Sequence, residues 1–146
     1  DLRIILLDVI ELYEPLATDK AIRFVSSLQA EAFINGDRDL LFQAFANLID
    51  NAVKYTPENG CVNVELGSAG DEAFVTVTDS GRGISAVDQG KVFERFYRVE
   101  ASRSLHPGNG LGLSLVSAVV KLHYGQITLS DNQPGLRVEV RWPLVD

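Results

Sequence analysis

The sequence has little cysteine, a shortage of basic residues and no long apolar run, and each shortage excludes a class of protein. Its single cysteine, Cys61, excludes an internal disulfide and fits a reducing compartment. Basic residues number 13 against 20 acidic ones, which gives a net charge of −7. Proteins that bind nucleic acids or membrane surfaces usually carry a basic face, so we expect no nucleic-acid partner. No apolar stretch approaches the roughly 18 residues of a membrane-spanning helix, so we expect no membrane insertion of this chain.

The composition is that of an ordinary globular protein. Apolar residues make up 46% of the chain, which is enough for a core without a structural metal or disulfide. The 146 residues are close to the roughly 150 of a single domain, and no repeat or flexible linker divides them. We therefore predict one domain over residues 1–146.

Apolar periodicity predicts a mixture of helices and strands. The predicted helices cover residues 2–16, 38–55 and 110–123, and the predicted strands cover 22–28, 32–34, 62–66, 73–78, 127–129 and 136–140. The two types do not alternate strictly, and successive strands have the spacing of hairpins. The pattern therefore favours an α+β fold over a doubly wound sheet.

The helix predicted at 38–55 carries a polar stripe beside its apolar one. Gln43, Asn47, Asn51 and Lys54 recur at intervals of three or four residues, which places them on one face. An amide oxygen is a hard ligand that suits a hydrated Mg²⁺ shared with phosphate oxygens, and an ammonium group suits the phosphates. The alternative is an ordinary solvated helix face.

Asp79 begins a second candidate segment, which runs to Ile84 and follows a predicted strand directly. A carboxylate at a strand end can accept a hydrogen bond from an exocyclic amine, and Gly81 and Gly83 let the backbone approach a flat ring. The alternative is a simple turn, because a lone Gly-x-Gly is a weak signal.

Glycines also precede the last predicted helix, in the segment from Gly108 to Leu113. Backbone N–H groups at a helix N-terminus can bind phosphate. The segment lacks the β-α-β setting of a Rossmann site, which argues against dinucleotide binding by that fold. Between the two glycine segments, residues 91–98 gather basic and aromatic side chains, and the alternative there is a short amphipathic helix.

Together, in this order, the segments resemble the catalytic, ATP-binding domain of sensor histidine kinases, a relative of the gyrase, heat-shock chaperone and mismatch-repair ATPases. Residues 47–55 resemble the N box of that family, and residues 79–84 its G1 box. Residues 93–96 resemble the F box, and residues 108–113 the G2 box. The resemblance covers nearly the whole chain.

The resemblance implies a role for each matching residue. Asn51 would coordinate Mg²⁺, Asn47 would lie beside it, and Lys54 would reach the phosphates, so these three are the expected catalytic residues. Tyr55 would flank the nucleotide and Asp79 would bind the adenine amine. The other implied ATP-binding residues are Gly81, Gly83, Ile84, Arg95, Phe96, Arg98, Gly108, Gly110, Leu111, Gly112 and Leu113.

The implied fold is a two-layer α/β sandwich of the Bergerat type, with about three helices on one face of a mixed sheet of about five strands. The implied activity is transfer of the γ-phosphoryl group of Mg-ATP to a histidine on a separate dimerisation domain of the parent chain, for relay to a response regulator. The domain would be a cytoplasmic part of a membrane-anchored bacterial sensor. An ATP-hydrolysing switch of the same superfamily and a degenerate partner-binding module are the alternatives.

Several finer expectations accompany this interpretation. Residues 85–109 would form a mobile lid that contains His106, whereas His123 would have a structural role and Cys61 would lie in the core. Tyr124 and Gly125 stand where the family often has paired glycines, a difference expected to affect only a turn. Hydrolysing members of the superfamily have a glutamate at the position of Asn47, so we expect slow hydrolysis here.

Overall fold

The computed structural model describes residues 2–28, 32–81, 112–131 and 135–144. Within these residues it contains three helices and five strands. In chain order they are α1 (Leu2–Asp19), β1 (Arg23–Leu28), α2 (Arg38–Tyr55), β2 (Cys61–Ala69), β3 (Glu72–Asp79), α3 (Gly112–Leu122), β4 (Gln126–Asp131) and β5 (Leu136–Pro143). In this part of the chain, no helix is long and apolar enough to cross a membrane.

The strands form one mixed sheet in the order β1-β2-β3-β5-β4. The pairs β2–β3, β3–β5 and β4–β5 are antiparallel, whereas β1 pairs with β2 in parallel, with Arg23 opposite Cys61. Parallel neighbours require a crossover connection, and α2 lies in that connection. The expectation of hairpins is therefore confirmed for β2–β3 and β4–β5 and is wrong for residues 22–28 and 32–34, because the latter form no strand.

The helices cover one face of the sheet and form the core with it. Alternate residues of β2 and β3, such as Val62, Val64 and Val75, are fully buried, as a sheet with one covered face requires. Phe45 of α2 meets Trp142 of β5 edge to face, with ring centroids 5.6 Å apart. This is the two-layer α/β sandwich that the resemblance implied.

Two details of the sequence-based assignment are wrong. Residues 32–34 form no strand, because the carbonyl of Ala32 accepts instead from the N–H of Leu2 at the start of α1. Cys61 lies half-buried at the start of β2 rather than in the core. By contrast, α2 has the predicted bounds, with Asp37 as its N-cap accepting from the N–H groups of Asp39 and Leu40.

Candidate functional site

The polar face of α2 supplies the first group of candidate residues. Asn47 and Asn51 are half-buried, and Gln43 is exposed. Lys54 forms an ion pair with Asp50, with Nζ 2.9 Å from Oδ2, and this hydrogen bond raises the pKa of Lys54 while partial burial opposes it. The ammonium group is therefore held charged at the C-terminal end of α2.

Asp79 is a buried carboxylic acid at the end of β3, with only 8% of its surface exposed. Its Oδ1 accepts from the N–H of Gly81 at 2.9 Å and from the N–H of Leu136 at 3.3 Å. Burial raises the pKa of Asp79, and these two hydrogen bonds oppose the rise. A buried carboxylate fixed by backbone donors can recognise a hydrogen-bond donor with little freedom to adjust.

Gly135 contributes to this site although sequence reasoning did not identify it. Its φ is +109°, and a Cβ built there would lie 1.8 Å from the carbonyl oxygen of Asp79. Only glycine fits such a close approach of two backbones. The Pro134–Gly135 pair is a turn signal in the sequence, but nothing in its spacing connects it with Asp79.

Gly81 brings the Asp79 segment to the end of α2. A Cβ at Gly81 would lie 2.4 Å from the carbonyl oxygen of Tyr55, so the glycine permits direct contact between the two backbones. The ends of α2 and β3 therefore meet. Asn51, Lys54 and Tyr55 lie on the last two turns of this helix, and Tyr55 is the residue that meets the Asp79 segment.

The N-terminus of α3 approaches the same region. At its opposite end, His123 accepts at Nε2 from the N–H of Asp37, 2.9 Å away, and its Nδ1 lies 2.8 Å from the carbonyl oxygen of Val119. These partners require the neutral tautomer that carries its proton on Nδ1, so His123 has the expected structural role. Since the end of α3 meets the start of α2 and the two helices pack together, they run antiparallel.

Helix lengths then indicate where α3 begins. With 11 residues, α3 is about 16 Å long, which from Asp37 reaches the turn of α2 between Asn47 and Asn51. Gly112 and Leu113 at its start therefore lie toward the amide-bearing part of α2. Other candidates are outside the described residues: Gly83, Ile84, Arg95, Phe96, Arg98, Gly108, Gly110 and Leu111, together with the predicted lid and His106.

The comparison with protein families decides the classification. The sequence profile described as "Histidine kinase-, DNA gyrase B-, and HSP90-like ATPase" matches residues 36–146. The chain belongs to this family. The residues before the match form α1 and β1, and these elements complete the sandwich at the β1 edge of the sheet.

Individual histidine kinases and sensor proteins are also similar to this chain in sequence or in fold. The sensor protein SphS of Synechococcus elongatus is 38% identical over 135 residues, which are 88% of this chain and 33% of SphS. The catalytic domain of the histidine kinase ThkA is 26% identical with a TM-score of 0.87, and the match covers 98% of this chain and 94% of that domain. Full-length ShkA in complex with AMPPNP is 26% identical with a TM-score of 0.85, covering 99% of this chain and 30% of ShkA.

The share of each relative that the chain covers shows which part of a histidine kinase it corresponds to. The chain spans 33% of the length of SphS and 30% of ShkA, whereas it matches an isolated histidine kinase catalytic domain almost from end to end. Its fold is therefore that of the catalytic domain of a histidine kinase.

Proposed function

We propose that residues 1–146 are the catalytic domain of a sensor histidine kinase, which binds Mg-ATP and delivers its γ-phosphoryl group to a histidine on a separate dimerisation domain of the parent protein. The observation that carries this proposal is the meeting of Asp79 with the last turns of α2. A buried carboxylate and a polar helix face are brought together there through the contact of Gly81 with Tyr55.

Asp79 would recognise the adenine ring. A carboxylate accepts a hydrogen bond from the exocyclic amine of adenine, whereas guanine presents an acceptor oxygen at that position. Tyr55, at the end of α2, would flank the ring, and Gly81 with Gly83 would shape the pocket around it. The likeness to ShkA, which was solved with an adenine nucleotide analogue, supports this choice of base.

The donor groups of α2 fit a magnesium ion that is shared with phosphate. The described residues contain no cluster of three or more His, Cys, Asp or Glu side chains that could hold a metal by themselves. Asn51 offers one half-buried amide oxygen, which suits a cation that keeps several waters and takes phosphate oxygens as further ligands. Bound in this way, Mg²⁺ would neutralise charge on the phosphates, and Asn51 would hold it with Asn47 alongside.

Cationic and backbone groups would orient the phosphates. Lys54, Arg95 and Arg98 would supply positive charge, and the glycine-rich segment that leads into α3 would supply N–H groups. These residues would position the phosphates and neutralise their charge, which is how most phosphoryl-transfer enzymes act. Phe96, Ile84, Gly108, Gly110, Leu111, Gly112 and Leu113 would complete the binding pocket.

The partners of the domain follow from this activity. The phosphorylated histidine would pass its phosphoryl group to a response regulator, and we place the domain in the cytoplasm, as part of a membrane-anchored sensor. The relatives support this setting because they are named sensor proteins and are about three times as long as this chain.

The test is a phosphotransfer assay between residues 1–146 and the separately produced dimerisation domain of the parent, with radiolabelled Mg-ATP. We expect Asn51→Ala to abolish phosphohistidine formation without lowering the melting temperature, because Asn51 contributes the amide ligand and not core packing. Gln43→Ala is the matched control on the exposed part of the same face, and it should be fully active. Undiminished transfer by Asn51→Ala would reject the assignment.

A further inference from the structure

Helix α2 ends differently from the other two helices. The C-terminus of α1 is closed by backbone hydrogen bonds, from Ala21 to Thr18 and from Ile22 to Ala17, and that of α3 by equivalent bonds from Tyr124 and Gly125. Both are Schellman motifs, which satisfy carbonyl groups at the helix end. After α2, in contrast, Thr56 is extended, with φ −91° and ψ 128°, so no such motif forms.

At the end of α2, two side chains donate hydrogen bonds to carbonyl groups instead. The hydroxyl of Thr56 donates to the carbonyl of Ala52 at 2.6 Å. The Nζ of Lys20 donates to the carbonyls of Val53 and Lys54, at 2.9 and 2.8 Å. A helix leaves its last four carbonyls without intrahelical partners, and in α2, which ends at Tyr55, Lys20 satisfies two of these four. A cation at this end also interacts favourably with the helix dipole.

Lys20 is itself held firmly in place. It lies at the end of α1, where the Schellman motif fixes the backbone and buries Ala17 against Ile22. The carbonyl of Ala21 accepts from the N–H of Asn59 at 3.0 Å, which joins this turn to the loop after α2. Partial burial lowers the pKa of Lys20, and the nearby charge of Glu58 opposes that change.

The turn of α2 that Lys20 holds is the turn that carries candidate site residues. Lys54 and Tyr55 belong to it, and Asn51 is the residue just before it. The carbonyl of Tyr55 is also the group against which Gly81 packs. A shift of this turn would therefore move the proposed metal ligand, the proposed phosphate contact and one wall of the Asp79 site.

We propose that Lys20 is a positioning residue for the nucleotide site: its ammonium group, donating to two carbonyls of the last turn of α2, fixes the place of Asn51 and Lys54 relative to the bound phosphates. This inference rests on the proposed function. Lys20 acts through α2 and does not touch the nucleotide. Its largest effect falls on the metal and phosphate end of the ligand, because Lys54 belongs to the turn that Lys20 holds and Asn51 directly precedes it.

The experiment measures ATP affinity by calorimetry, once with Mg²⁺ and once with EDTA, for the wild type, Lys20→Met and Lys20→Arg. Methionine keeps most of the aliphatic stem and removes the donors, whereas arginine can donate to both carbonyls. We expect Lys20→Met to lose about ten- to a hundredfold in affinity with Mg²⁺, because loss of one well-placed contact to a charged group has an effect of about that size. In EDTA we expect a clearly smaller loss, because Lys54 and Tyr55 would still be displaced whereas the contact with the metal is absent, and we expect recovery by Lys20→Arg.

Lys121→Met is the matched control, because Lys121 is exposed near the end of α3, and it should bind ATP as the wild type does. A Lys20→Met protein that binds Mg-ATP normally would overturn the proposal. So would an equal loss with and without Mg²⁺ that follows a fall in melting temperature, since that result describes a purely structural residue. If Lys20→Met does not fold, Lys20→Gln replaces it under the same criteria. A wild type that binds no Mg-ATP would instead refute the proposed function itself.

Discussion

At the scale of single residues, Asp79 shows a conflict between stability and recognition. Its carboxylate is buried, which destabilises the charged form, and two backbone donors compensate only in part, so the pKa is raised. Burial therefore disfavours the ionised form of this side chain in the folded protein. Such an arrangement is typical of residues retained for binding.

We predict that Asp79→Asn separates the contribution of Asp79 to ATP binding from its effect on stability. The amide oxygen can still accept from Gly81 and Leu136, and its NH₂ group would then meet the adenine amine donor to donor. An unsatisfied buried group costs about 1–3 kcal/mol, so ATP affinity should fall roughly ten- to a hundredfold. Calorimetry at pH 7.5 measures this loss, and Glu139→Gln on the open face of the sheet should show none.

The stability of Asp79→Asn should depend on pH in a defined direction. The folded pKa of Asp79 is raised above its ordinary value, so the wild type is destabilised by this charge above that pKa and relieved of it below. At a pH above the raised pKa of Asp79, the variant should be at least as stable as the wild type. Urea unfolding should show the difference shrinking as the pH falls through the raised pKa. A variant that is much less stable at every pH would contradict the burial argument.

Gly135 offers a second test at this scale. We predict that Gly135→Ala loses stability by about 1–3 kcal/mol through overpacking, because its Cβ would enter the carbonyl of Asp79. ATP affinity should fall with it, since Asp79 must move. Gly70→Ala is the matched control: Gly70 also has positive φ, at +61°, but has no atom within 4 Å of the added Cβ. It should lose only the backbone strain, about 1–2 kcal/mol, and bind ATP normally.

At the scale of elements, two helices end at residues whose left-handed backbone conformation is unusual for their residue types. Ala21 after α1 and Tyr124 after α3 have φ of 57° and 63°, the left-handed region that glycine occupies most easily. The expectation that Tyr124 and Gly125 affect only a turn is therefore supported by the geometry. Tyr124 occupies the left-handed position, while Gly125 packs so closely on Trp142 that a Cβ would lie 2.5 Å from its ring.

We predict that Tyr124→Gly and Ala21→Gly each stabilise the protein, by about 0.5–1 kcal/mol, since relief of left-handed strain exceeds the added entropy of the unfolded chain. Tyr124 is 86% exposed, so little packing is lost with its ring. Gly125→Ala, one residue further, should have the opposite effect. Urea unfolding measures all three, and a loss of stability in Tyr124→Gly would show that its ring has a packing role.

The elements differ in how well the sequence predicted them. Helix α2 was predicted with its observed bounds because a strong apolar stripe ends just before Pro57. Helix α1 continues past Pro15 to Asp19, since burial of Ala17 and Ile22 at its end outweighs the missing N–H. Residues 32–34 have strand-like composition, but their hydrogen bonding is decided by contact with α1, which periodicity does not encode.

The candidate site could be predicted only where its residues fall in one contiguous pattern. Asn47, Asn51 and Lys54 share a helical period, and Asp79 with Gly81 forms a motif. Gly135 and Lys20 reach the site through tertiary contacts with partners far along the chain, so spacing gives no sign of them. The ion pair of Lys54 with Asp50 was likewise absent from the sequence-based expectations, although its i,i+4 spacing is a recognisable signal.

At the scale of the whole molecule, the candidate residues that the structure describes lie toward one end of the sandwich. α2 and β3 finish there and α3 begins there, while the opposite end, at Asp37 and His123, is a structural junction. With this division, the phosphates of a bound nucleotide would lie at one end of the sandwich, where a second domain could supply the acceptor histidine. The domain would then need to protect ATP from water until that histidine arrives.

We therefore predict that residues 1–146 hydrolyse ATP slowly. The neutral amide of Asn47, one turn before Asn51, cannot accept a proton from water. Asp50 lies about 100° around the helix from Asn51, and its carboxylate is engaged with Lys54 at 2.9 Å. Since a general base contributes about 10²- to 10⁴-fold, turnover with saturating Mg-ATP should stay far below 1 s⁻¹, and Asn47→Glu should raise it whereas Asn47→Gln should not. A wild-type rate near 1 s⁻¹, within the usual enzyme range, would replace the kinase proposal with an ATP-hydrolysing switch, because the domain would then consume its own phosphoryl donor.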